Sequence, residues 1–125
     1  MIQYITPKHY PDMLRIRNAD KSFFKHEFVK LGLMLLAKRL HPKADIYSEY
    51  MFENQDIVDV VIDKGTELIL FECQKEISPK WLNDIKQRDL LLSDLLNKRI
   101  DTIVIPLKEI SSSLPKMMKQ LEVYI

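Results

Sequence analysis

Asp59-Val-Val-Ile-Asp-Lys-Gly-Thr-Glu-Leu-Ile-Leu-Phe-Glu72-Cys-Gln74 reads as two apolar strands around a short turn, with acidic residues lodged inside them. Asp59 follows Ile57 and Val58 and precedes Val60, Val61 and Ile62, while Glu72 follows the run from Leu68 to Phe71. A carboxylate in a half-buried strand must sit beside a cation, accept hydrogen bonds, or be neutralised. Two of them on neighbouring strands suit a hard metal ion. Set against this, each acid taken alone also fits an edge-strand charge facing solvent.

The turn governs whether the two acids meet. Gly65, after Lys64, can take the positive φ that tight hairpins require. A two-residue turn puts Asp59 opposite Leu70, one step from Glu72 on the same face, whereas a four-residue loop puts Asp59 directly opposite Glu72. Either even-length loop leaves both carboxylates on one face, and a bulge would spoil the alignment.

Outward from the hairpin, the order of elements emerges from periodicity and punctuation. From about Ser22 to Leu40, Phe24, Phe28, Leu31 and Leu35 recur at helical steps, and Pro42 lies just beyond. Residues 46–52 suit an aromatic-rich strand. Ser78 and Pro79 predict the cap and first turn of a helix running to about Asn97. Ile100 to Leu107 reads as a strand, and Ser113-Leu-Pro115 starts a last helix. The strand after the Ser78 helix returns through a crossover, so it is expected to be parallel to a neighbour. The prediction is an α/β domain with a mixed central sheet flanked by helices.

The chain of 125 residues, 46% hydrophobic and 30% charged, has the composition of one globular domain. We expect a single unit over 1–125, with an N-terminal extension at 1–21, a core at 22–107 and a C-terminal helix at 108–125. Without a long apolar run or a secretory pattern, a cytoplasmic protein with no membrane partner is expected. The single Cys73 excludes an internal disulfide, and no Cys/His cluster suggests zinc. The net charge of +1 conceals an asymmetry, with nine Lys/Arg against three Asp/Glu in residues 1–43. Lys8, Arg15, Arg17, Lys21 and Lys25 therefore make a candidate phosphate-contacting surface, or else a set of solvated charges.

Glu27 lies four residues before Leu31 and seven before Met34, on or beside the expected buried stripe of the first helix. It is either a boundary residue or an inward-facing ligand. His26, His9 and His41 carry no supporting pattern.

Glu27 on a helix, then Asp59, then Glu72-Cys73-Gln74 after a hairpin, resembles the PD-(D/E)XK nuclease superfamily, and most nearly its archaeal-type Holliday-junction resolvases. The resemblance spans about residues 22 to 107. It implies a restriction-endonuclease-like αβββαβ core and a Mg²⁺-dependent DNA endonuclease, with Mn²⁺ able to substitute. By that resemblance Asp59, Glu72 and the Cys73 carbonyl would hold the metal, and Glu27 would assist through water. Gln74 would position the nucleophile, and Gln87 would match a glutamine on the following helix. Arg15, Arg17, Lys21, Lys25, Lys80 and Lys86 would contact DNA, branched DNA being the implied substrate, and the protein would act as a homodimer. The departure is Gln74, which stands where the family carries lysine. A neutral amide orients water but neither acts as a base near neutrality nor stabilises charge equally. Lys75 is expected to point to the opposite face, leaving Lys80 or Lys86 as substitutes. One alternative is a nuclease-like module that binds nucleic acid or a protein without cutting; another, an interaction protein unrelated to nucleases, would require Asp59 and Glu72 to point to opposite faces.

Overall fold

The computed structural model describes residues 21–125, and side chains from Phe24 onward. The apolar pattern of Met13, Leu14 and Ile16, which hints at one short helix, lies outside the described residues together with Lys8, Arg15 and Arg17. The elements are α1 (Lys21–Leu40), β1 (Asp45–Met51), β2 (Ile57–Asp63), β3 (Glu67–Gln74), α2 (Pro79–Leu96), β4 (Arg99–Pro106) and α3 (Leu114–Leu121). The four strands form one mixed sheet in the order β1-β2-β3-β4, antiparallel except for the parallel pair β3–β4.

The hairpin strands cover 57–63 and 67–74, the limits that their apolar runs suggest. Asp63 pairs with Leu68 and the Lys64 N–H donates to the Glu67 carbonyl at 3.0 Å, which selects the longer of the two loops considered. Gly65 supplies the left-handed conformation at φ 92°, and the Asp63 side chain accepts its N–H at 2.8 Å. Ser78 Oγ accepts the Trp81 N–H at 3.0 Å to start α2, and Asn97 ends it in the left-handed region.

Each sheet face has its own cluster. Val60, Ile62, Phe71, Cys73 and Ile105 pack with Val29, Leu33, Leu36 and Ala37 of α1 and Met117 and Leu121 of α3. On the other face Val58, Val61, Leu68 and Leu70 pack with Leu92 of α2. The expected buried stripe of α1 is corrected here: Phe24, Phe28, Leu31 and Leu35 are exposed, and the opposite face packs on the sheet. The helix is apolar on both sides, so periodicity alone selects neither.

α1 and α3 touch at Gly32, where an added Cβ would lie 2.9 Å from Leu121 Cδ1 and 3.0 Å from Met118 Sδ. A leucine cannot be accommodated there while α3 keeps its place. Gly32→Leu is expected to destabilise the protein by about 1–3 kcal/mol, measured by urea unfolding; an unchanged midpoint would contradict this packing.

Candidate active site

The site is a disruption in the sheet. Pairing of β2 with β3 runs from Asp63↔Leu68 to Val60↔Phe71, and one further step brings Asp59 opposite Glu72. At that step Asp59 Oδ2 accepts the Cys73 N–H at 2.7 Å, a side chain taking the place of a strand carbonyl. On the other flank, the β1–β2 pairs Ser48↔Val60 and Tyr50↔Val58 skip Glu49 and Asp59, and Glu49 has φ 52°. Val58 belongs to the cluster under α2, whereas Val60 and Ile62 belong to the one under α1. Strict alternation therefore breaks at Asp59. The two carboxylates are neighbours, but the expectation of one shared face is corrected: their partners come from opposite helical layers.

On the α1 side, His26 Nε2 lies 3.4 Å from Asp59 Oδ1 and His26 Nδ1 lies 3.3 Å from Glu27 Oε1. Glu27 Oε2 is 3.2 Å from Lys30 Nζ, and Lys30 also donates to Glu49 Oε1. Both Glu27 oxygens are thus engaged by side chains of its own helix. Burial pushes Asp59 above the usual carboxylate range, against the pull of the Cys73 amide and His26. Burial also raises Glu27, but hydrogen bonds from Lys30 and His26 outweigh it and hold the group low. Lys30 is buried, yet its bonds to Glu49 and Glu27 hold its proton more tightly than usual.

On the α2 side, Arg88 Nη1 donates to Glu72 Oε1 at 2.6 Å. Its Nη2 reaches Asp89 Oδ1 at 2.9 Å and Thr102 Oγ1 at 3.3 Å, while the Thr102 hydroxyl donates to Asp89 Oδ2. Burial pushes Glu72 up to about 7, with Arg88 pulling the other way. The neighbouring Cys73 thiol is also raised by burial, which keeps it protonated and unreactive.

Beside this arrangement a cleft of about 380 Å³ opens between Lys25, His26, Gln74, Lys75 and Lys108. Gln74 Nε2 donates to the Glu76 carbonyl at 3.0 Å, and Lys108 pairs with Glu76 at 2.7 Å. Lys75 lines the same cleft as Gln74, contrary to the alternation argument, because β3 ends at Gln74. Lys80 and Lys86 are exposed on α2, and Lys86 borders a groove with Asp89 and Thr102. Gln87 is exposed as well, and it is the next residue, Arg88, that faces Glu72. Lys21 opens α1.

Sequence reading missed Lys30 and Arg88, the two buried charged residues among those described. Their signal was spacing: Lys30 stands three and seven residues before the buried Leu33 and Ala37, and Arg88 four before the buried Leu92. Among the described residues, no three His, Cys, Asp or Glu side chains group so as to hold a metal ion. Nor, among those residues, is any helix long and apolar enough to cross a membrane. The chain matches no protein-family model and no curated protein sequence.

A Glu72 pKa raised from 4.5 to about 7 makes a signed prediction. Below pH 4.5 the group is protonated in folded and unfolded chains alike, and its contribution to stability is fully present. That contribution is lost as pH rises through the folded value. The unfolding free energy of Glu72→Gln should therefore lack a decline of about 1–3 kcal/mol between those pH values that the wild-type protein shows. Parallel curves for the two proteins would contradict the assignment.

Proposed function

We propose that this chain is a metal-dependent endonuclease that hydrolyses phosphodiester bonds in DNA, built on a restriction-endonuclease-like core. The observation that carries the reading is Asp59 fixed on the amide of Cys73 at 2.7 Å, next to Glu72, with Cys73 itself lining a cleft that also holds Lys25, Lys75 and Lys108. The αβββαβ element order supports it, as does the resemblance through Glu27, Asp59, Glu72 and Gln74.

The donor chemistry fits a hard divalent ion such as Mg²⁺ or Mn²⁺. Asp59 and Glu72 offer carboxylate oxygens and Cys73 a backbone carbonyl, all hard ligands. When bound, such an ion polarises the phosphate and lowers the pKa of its water. Lys25, Lys75 and Lys108 would offset phosphate charge along the cleft. Gln74 would orient water through its amide, for which it must leave the Glu76 carbonyl. Glu72 must ionise and release Oε1 from Arg88 to serve as a ligand. The fold resemblance favours branched DNA as substrate and a symmetric dimer as the working unit.

One observation favours a second reading, a module that binds nucleic acid without cutting it. The buried Arg88 occupies Glu72 at 2.6 Å, and a permanent guanidinium in that place would keep a divalent ion out.

Purified protein incubated with labelled four-way junctions, duplex and single strands in Mg²⁺ or Mn²⁺ distinguishes the two. The nuclease reading expects cleavage that disappears in Asp59→Ala and Glu72→Ala while those variants still bind DNA. Binding without cleavage selects the module. Neither binding nor cleavage, or cleavage indifferent to both substitutions, overturns the assignment.

A further inference from the structure

Two costly features meet at one contact beside Asp59. Lys30 carries its charge on the core-facing side of α1, among Val29, Leu33 and Ala37, and is only 5% exposed. Its partner Glu49 sits inside β1 with φ 52°, a left-handed conformation that is strained for a residue other than glycine. The contact joins a buried cation to a half-exposed carboxylate, so a buried charge and a left-handed backbone are kept at one point. A continuous chain of contacts leads from it into the site. Lys30 holds Glu27 Oε2 at 3.2 Å, Glu27 Oε1 faces His26 Nδ1 at 3.3 Å, and His26 Nε2 faces Asp59 Oδ1 at 3.4 Å.

We propose that Lys30 is the positioning residue of this site: anchored by Glu49, it fixes Glu27 and, through His26, the orientation of Asp59. The inference rests on the phosphodiester-hydrolysing reading and deepens it by assigning work to residues outside the expected motif. A hydrolysing centre must present negative ligands to a polyanion without repelling it, which demands fixed cations close to the carboxylates. Arg88 supplies one on the Glu72 side, and Lys30 supplies one on the Asp59 side. β3 itself contributes only the neutral Gln74. Lys30 touches Glu27 and Glu49 rather than the substrate, so its effect is transmitted through them.

The test compares Lys30→Met, Lys30→Arg and Glu49→Gln with the wild type by steady-state cleavage of a labelled DNA substrate in Mn²⁺ and by urea unfolding. Lys30→Met keeps the stem but deletes the charge. Its kcat should fall by about 10–100-fold, the range seen when a side chain that orients a ligand is removed, with KM changed less than about threefold. Lys30→Arg should recover most of that loss, since a guanidinium can hold the same two carboxylates. Glu49→Gln alters a residue that is already half exposed and leaves Lys30 in place, so it should fold and lose kcat in the same direction. That variant decides the matter if Lys30→Met does not fold. A wild-type kcat in Lys30→Met or Glu49→Gln, or a loss that arginine does not restore, overturns this inference while the nuclease reading stands. Absence of cleavage by the wild-type protein overturns both.

Discussion

A carboxylate inside a sheet has to be compensated where it stands, and most of what is distinctive in this structure follows from compensating two of them side by side. Asp59 takes the amide of Cys73, and the β2–β3 ladder ends at Val60 and Phe71, three residues short of the start of β2 and the end of β3. Glu72 takes a guanidinium from α2. Because the two solutions come from opposite layers, the strand is forced out of simple alternation at Asp59, and β1 distorts beside it at Glu49. The helices are therefore more than covers for the sheet. α1 and α2 each carry one buried cation near that break, Lys30 held by Glu27 and Glu49 and Arg88 held by Glu72 and Asp89.

Much of this was legible in the sequence, for physical reasons. The hairpin announces itself because apolar runs bounded by Lys64 and Gly65 have few other ways to fold. Ser78 and Pro79 mark a helix start through hydrogen-bond chemistry that does not depend on tertiary context, and a strand reached through a crossover has little choice but to run parallel. The wrong face of α1 had an equally physical origin. Phe24, Phe28, Leu31 and Leu35 form as good a stripe as Val29, Leu33, Leu36 and Ala37, and only the sheet and α3 decide between them. Gly32, which permits α3 to approach, lies closer to the face that won.

The candidate site was legible as a set of acids and illegible as a network. Asp59 and Glu72 stood out because charge in an apolar strand is expensive. Lys30 and Arg88 did not, because long basic side chains are ordinary on helix surfaces and only their spacing to buried neighbours betrays them. Glu49 was beyond reach: a positive φ in a residue with a full side chain has no sequence signature. Gln74, read as the weak point of a nuclease motif, now stands in a site whose positive charge comes from both helices.

The proposed function places a divalent ion on Asp59 and Glu72 at the break between β2 and β3. A crystal soaked in Mn²⁺ and measured at an anomalous wavelength addresses it directly. The account predicts one anomalous peak in contact with both carboxylates, with the Arg88 guanidinium withdrawn from Glu72 Oε1. Full-strength diffraction with no peak there, and Arg88 still bonded to Glu72, would contradict it.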